Sequence, residues 1–296
     1  MSTEALEKVN IFDWVEKAKA DPIKYFERQA TEVVLTAIGM AEPFSDHIFL
    51  KGGILMGVLY GSPRNTGDID FTTDLDPVEE LPDALRSALN GTLPRAAAEI
   101  GYSAMVLKVQ TVKIRPRKNS LAKDTFPALE LTIGYANRGS KQEKSLNDGK
   151  STLVVHVDIS FNEPVSGLQI VKLDESLTTE IKAYSIYDLI AEKLRALLQQ
   201  PEKRKNRRQD IYDISLLLEA FPFDPEEKKD ILSSLIKKCS SRGIEPDQNS
   251  LSSNEVRERA AAEWETLAIE IGQEELPDFD SCFARVEEHY KSLPWK

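Results

Sequence analysis

Apolar residues recur at helical spacing through the first forty positions. Ile11, Trp14, Val15 and Ala18 predict one helix, and Tyr25, Phe26, Val33, Val34, Ala37 and Ile38 predict a second. Asp21-Pro22 would open the second as an N-cap with proline at the first helical position. The pattern then shortens. Residues 47–50 read as a strand running into Gly52-Gly53, and residues 54–59 form a compact apolar segment long enough for a short helix. Tyr60-Gly61-Ser62-Pro63 stops that helix, and residues 69–72 resume as a strand. A helix is predicted from Asp76-Pro77 to Leu89, ending near Asn90-Gly91. Three strand-like runs follow at 105–114, 128–133 and 153–161, with 138–150 expected as a flexible connection. From about Leu177 the pattern reads as helices to the end, among them 185–200, 207–221, one opened by Asp224-Pro225, one capped by Asn254, and 278–293. The predicted class is α/β (α+β): a mixed sheet flanked by helices in residues 1–176, and a helical domain in 177–296.

Composition adds few constraints. A chain of 296 residues, 41% hydrophobic and 29% charged, is ordinary for a globular protein. No run approaches the ~20 apolar residues needed to span a bilayer, and Met1-Ser2-Thr3-Glu4 lacks a signal-peptide layout, so the expectation is a cytoplasmic protein with no membrane partner. Cys239 and Cys282 give neither a disulfide framework nor a zinc spacing, and His47, His156 and His289 are scattered. The net charge of −11 argues against bulk electrostatic binding of nucleic acid. Two local basic runs remain: Lys108, Lys113, Arg115, Arg117 and Lys118, and the denser Lys203-Arg204-Lys205-Asn206-Arg207-Arg208. Each is either a solvated connection or a path for a phosphate backbone.

The chemistry concentrates between Lys51 and Phe71. A glycine pair at the start of a helix offers bare N–H groups and a helix dipole to an anion. Strand alternation puts Asp68 and Asp70 on one face, with Ile69 and Phe71 on the other. Paired carboxylates suit Mg²⁺, which takes oxygen ligands and shares substrate phosphates. A lone Gly-Gly is usually a turn and a lone Asp-x-Asp a solvated strand end; their ordered combination describes a metal–triphosphate site. A two-metal site also wants a third carboxylate on a neighbouring strand. Asp158, on the polar side of its strand with His156 and Ser160, is the first candidate, and Glu130 is the rival. In the helical part, Lys193 falls within the apolar arc of its helix, where it either snorkels or reaches towards phosphates. Asp210 lies on the flank of the next helix's stripe and could orient Lys193 or accept a proton. Asp213, further round, is expected to be solvated.

Lys-Gly-Gly, a short apolar helix and then Arg64-x-Thr66-x-Asp68-Ile-Asp70-Phe closely resembles the nucleotidyltransferases of the AbiEii/AbiGii-type toxin family, within the DNA polymerase β-like nucleotidyltransferase superfamily. Glu192-Lys193-x-x-Ala, a basic stretch and then Arg208-x-Asp210-Ile-Tyr-Asp213-Ile resembles the same family. The resemblance implies a minimal nucleotidyltransferase domain with a helical domain completing the cleft. It implies transfer of a nucleotide from an NTP to an acceptor hydroxyl, with Asp68, Asp70 and Asp158 holding Mg²⁺ (or Mn²⁺). Gly52 and Gly53, with Lys51 and Thr66 in the same motif, would cradle the triphosphate, and Arg64 and Lys193 would neutralise its charge. The matching Lys193 and Asp210 are counted with the active site. One departure is Ile54, where many relatives carry Thr or Ser. Family membership would further imply a toxin paired with a cognate antitoxin, in a toxin–antitoxin or phage-defence setting. Some relatives modify tRNA 3′ ends, which would make RNA a partner. The alternatives are transfer to a protein or small-molecule hydroxyl, or a catalytically silent nucleotide-binding scaffold.

Overall fold

The structure, a computed structural model, describes residues 6–116, 126–175, 178–272 and 275–295. The chain divides into two compact units. The first comprises Met1–Leu59, Thr66–Glu163 and Gln169–Ala183; the second comprises Tyr60–Asn65, Pro164–Leu168 and Tyr184–Lys296.

The first unit is built, in chain order, from β1 (Leu6–Lys8), α1 (Ile11–Glu16), α2 (Pro22–Gly39), β2 (Ile48–Lys51), α3 (Gly52–Leu59), β3 (Asp68–Thr73), α4 (Leu81–Glu99), β4 (Met105–Arg115), β5 (Ala128–Asn137), α5 (Lys141–Asn147), β6 (Val154–Ser160), β7 (Leu168–Lys172) and β8 (Glu180–Tyr184). The strands form one mixed sheet in the order β1-β7-β8-β2-β3-β6-β5-β4. Parallel pairing joins β3 to β6, and antiparallel pairing joins β2 to β3, β6 to β5 and β5 to β4. Ile69, Phe71, Leu129, Leu131, Val157 and Ile159 are all buried on one face, where α2 and α4 pack. Alternation then gives the even-numbered residues of β3, β5 and β6 to the opposite, polar face. Asp21 caps α2 as its sequence predicts, accepting from the N–H groups of Ile23 and Lys24.

Several elements differ from expectation. α4 does not stop at Asn90-Gly91 but runs on to Glu99, through Pro94. An interior glycine costs about 1 kcal/mol. Burying Leu89 and Leu93 contributes about 1.5–3 kcal/mol each, so the continuing stripe wins. The Asn90 side chain also finds a tertiary partner, accepting from the Val109 N–H at 2.9 Å. The connection after β5 contains α5, capped by Ser140, which accepts from the Glu143 N–H at 3.3 Å. The Ser140-x-x-Glu143 spacing was the available signal. The sequence carries no pattern that marks strands β1, β7 and β8. β8 lies beyond the point where helices were expected to take over, and pairs in parallel with β2. Three to five residues carry too little periodicity to register, and it is pairing that makes them strands.

The second unit is helical: α6 (Ile186–Leu198), α7 (Gln200–Lys203), α8 (Arg208–Ala220), α9 (Pro225–Ser240), α10 (Asn254–Ala261), α11 (Leu267–Ile271) and α12 (Phe279–Lys291). Ser185 caps α6, Asp278 caps α12, and Asp224 with Glu227 forms a reciprocal capping box on α9. Ser253 rather than Asn254 occupies the cap position of α10. α6 packs on α9 and α8 on α12. Cys239 and Cys282 are buried and unpaired. Among the described residues no helix is long and apolar enough to cross a membrane.

Candidate active site

In the first unit, β2 delivers the chain into α3 through Gly52, whose φ is +70°. Left-handed backbone there favours glycine. A Cβ at that position would also overlap the Asp70 carboxylate. The helix N-terminus and the Asp-x-Asp strand are therefore interlocked at one residue. Gly53 is equally constrained, since a Cβ there would stand 2.8 Å from Cγ2 of Thr66. Thus Gly52, Gly53, Thr66 and Asp70, separated by up to 18 positions, meet at the start of α3, where unpaired N–H groups favour an anion.

Register places the carboxylates. Lys51 pairs with Asp70, Asp70 with Asp158, Asp158 with Glu130 and Glu130 with Lys113, so five charged residues form one row across five strands on the polar face. A second row runs Asp68, His156, Thr132 and Thr111. Asp158 stands on the strand beside Asp70, whereas Glu130 lies one strand further out and is ion-paired with Arg115. Burial pushes the Asp158 carboxyl above its ordinary range, and the negative charge of Asp68 adds to the effect, while Arg115 opposes it. Lys51 is buried and its ammonium is bound to Glu163, a partner that no local sequence signal identified.

Among the described residues, no three His, Cys, Asp or Glu side chains converge closely enough to hold a metal ion by themselves. The donor set still fits a divalent cation of the magnesium type. Such an ion needs only one or two carboxylates when substrate phosphates complete its shell. Asp68 and Asp70 share a face, and the Asp70 carboxylate fills the space beside Gly52 at the start of α3. One further group near this face has no signal in the sequence. Glu27 of α2 stands where a Cβ on Gly67 would lie 3.2 Å from its Oε1, and burial raises its carboxyl, with the charge of Asp68 adding to the shift. His156 is in register with Asp68.

The second unit holds a buried ion cluster. Lys193 Nζ donates to Asp213 Oδ2 at 2.7 Å and to Asp210 Oδ1 at 3.0 Å. Arg64 donates to both oxygens of Asp213, at 2.9 and 3.3 Å, and to Glu270 at 3.5 Å. Asp213 is fully buried, so the expectation that it is solvated is wrong. A single-stripe helical wheel fails on α8 because Asp210 to Ser215 are buried all round. The spacing of three did put Asp210 and Asp213 on neighbouring positions of one face. Burial alone would raise the Asp213 carboxyl, but Lys193 and Arg64 hold it below its ordinary value. Burial would likewise depress Lys193, and Asp213 with Asp210 hold it above. Arg64, expected at the triphosphate, is bonded in this structure to Asp213 and Glu270. Arg208 is mostly buried and bonded to Glu270 at 2.8 Å, so it does not belong to an open basic path. Lys203 is paired with Glu202. Arg117 and Lys118 lie outside the described residues.

Residues 34–285 match the family model described as nucleotidyl transferase AbiEii toxin, type IV toxin–antitoxin system. The chain belongs to this family. It is therefore a nucleotidyltransferase, and a toxin of the type IV class. The matched span contains both motif groups, from β2 through the Lys193 cluster. Among solved structures, the nucleotidyltransferase toxin MenT4 of Mycobacterium tuberculosis is similar in fold, with a TM-score of 0.54 at 14% identity, covering 95% of this chain and 88% of that one. JHP933 of Helicobacter pylori is similar too, with a TM-score of 0.51 at 14% identity, covering 90% of each chain. No curated protein matches this AbiEii-family chain in sequence.

Proposed function

We propose that this AbiEii-family toxin transfers a nucleoside monophosphate from an NTP to the hydroxyl of an RNA, at a tRNA 3′ end. The observation that carries the reading is the interlock at Gly52, which brings the start of α3 against the Asp70 carboxylate with no room for a side chain between them. The triphosphate would lie on the Gly52-Gly53 backbone, which supplies donors and admits no side chain. The acceptor oxygen forms a bond to the α-phosphorus, the bond from that phosphorus to the bridging oxygen breaks, and pyrophosphate leaves with its electron pair. The hydroxyl proton passes to a carboxylate on the polar face or to water. A divalent cation, Mg²⁺ or Mn²⁺, held by Asp68 and Asp70 with Asp158 beside them, would neutralise the triphosphate and make the acceptor hydroxyl more acidic. Thr66 packs against Gly53 and fixes the loop that leads into Asp68. Asp210 orients Lys193 within the helical unit. An antitoxin follows from the family, and defence against phage is the setting its resemblance implies.

The test is incubation with each α-³²P-NTP, Mg²⁺ and total RNA, with Asp70→Ala run beside the natural protein. Label should enter an RNA band with one NTP preferred, and Asp70→Ala should lower labelling by at least about 100-fold, the scale of losing a transition-state charge contact. Full labelling by a folded Asp70→Ala protein would refute the assignment of Asp70. Label in protein or in a small molecule would replace RNA as the acceptor.

A further inference from the structure

We infer that β4 presents a cationic stripe, Lys108, Lys113 and Arg115, that guides the phosphate backbone of the acceptor strand towards Asp68 and Asp70. The inference rests on the RNA-acceptor reading above and names the surface that would serve it. Lys108 and Lys113 are five positions apart, and in a regular strand they would point to opposite faces. The structure inserts a β-bulge between Val109 and Thr111. Lys108 then pairs with Gly134, Lys113 with Glu130 and Arg115 with Ala128, all positions of the polar face. One extra residue therefore brings all three cations to the face that carries the carboxylates.

The bulge is held on both sides of the sheet. Val109 N–H donates to Asn90 of α4, and the bulged Gln110 donates from Nε2 to the Leu146 carbonyl at 3.1 Å while its Oε1 accepts from the Ser151 N–H at 3.4 Å. Lys108 and Lys113 are exposed, and among the described residues neither is held in an ion pair. Arg115 is shared with Glu130.

Sheet order gives the direction. β3 is flanked on one side by β2, which leads into the α3 cradle, and on the other by β6, β5 and β4. In-line displacement puts leaving group and attacking oxygen on opposite sides of the phosphorus. With the triphosphate on the β2 side, the acceptor approaches from the β6-β5-β4 side. β4 is three inter-strand steps from β3, roughly 14 Å, close enough for phosphates a short way back from the reacting end.

The test uses the whole protein and a fluorescein-labelled single-stranded RNA of mixed sequence, titrated over a range of salt. Lys108→Glu combined with Lys113→Glu should weaken RNA binding at least 10-fold and flatten the salt slope by about 1.4, at about 0.7 per lost contact. NTP binding should be unchanged. Lys229→Glu with Lys237→Glu makes the same change in net charge at exposed positions of α9 and should leave the slope unchanged. Equal slopes in both double variants, or loss of NTP binding with loss of RNA, would overturn the proposal. So would intact RNA binding with lost capture of poly-glutamate, which would give the stripe to an acidic protein. A natural protein that labels a non-RNA acceptor and binds no RNA would instead remove the RNA reading on which the stripe depends.

Discussion

Gly52 shows how far one residue constrains the candidate site. Its positive φ disfavours an L side chain by roughly 1–2 kcal/mol, and a Cβ would also displace Asp70. Gly52→Ala is expected to lower the melting free energy by about that amount and to reduce nucleotidyl transfer far more, by at least about 100-fold, because the displaced group is a proposed cation ligand. Thermal melting beside an initial-rate assay separates the two effects. A folded Gly52→Ala protein with near-normal transfer would show that the interlock is only structural. The motif around this residue was legible in the chain because glycine pairs and Asp-x-Asp spacing are local. Glu163, the partner of Lys51, was not, because the two are 112 positions apart and nothing near either announces the other.

At the scale of elements, the Lys193 cluster ties α6, α8, α11 and the segment Tyr60–Asn65 within the helical unit. Asp213 is the shared acceptor, so Asp213→Ala would leave two buried cations short of a partner. Breaking a buried pair from one side costs about 3–5 kcal/mol. Urea unfolding of Asp213→Ala should show a loss of this size, and an unchanged midpoint would mean that water or Asp210 compensates. Elements of ten or more residues are legible from periodicity, and the starts expected at Asp21 and Asp224 are capped as their sequence predicts, whereas Ser253 takes the place expected of Asn254. α4 runs past Asn90 and Gly91 although both are breakers by propensity. Leu93 and the Asn90–Val109 hydrogen bond outweigh them, and both depend on β4, which comes later in the chain.

For the whole molecule, pH should act through Glu32, buried on α2 with Tyr102 OH donating to it at 2.8 Å. Burial pushes its carboxyl up to about 7, against the opposing bond from Tyr102. The folded state then binds a proton that the unfolded state has released. Its contribution is full below about 4.5 and is lost as pH rises through about 7, a change of up to about 3 kcal/mol. Glu32→Gln keeps an acceptor for Tyr102 and removes the titration. The variant should be the more stable protein at pH 8, with the difference shrinking towards pH 5, as read by urea midpoints at both values. Parallel pH profiles for the two proteins would exclude Glu32 as the titrating group.

The sequence by itself determined the mixed α/β class, the long helices with their caps, and the two motif groups that mark a nucleotidyltransferase, because periodicity, capping and glycine turns act over a few residues. Tertiary structure alone decided that Asp70 and Asp158 are register partners, that Asp213 is buried between Lys193 and Arg64, and that Lys108 and Lys113 share a face. Strand order, register and a one-residue bulge are set by pairing between distant segments. The same alternating pattern is compatible with many pairings until the core selects one.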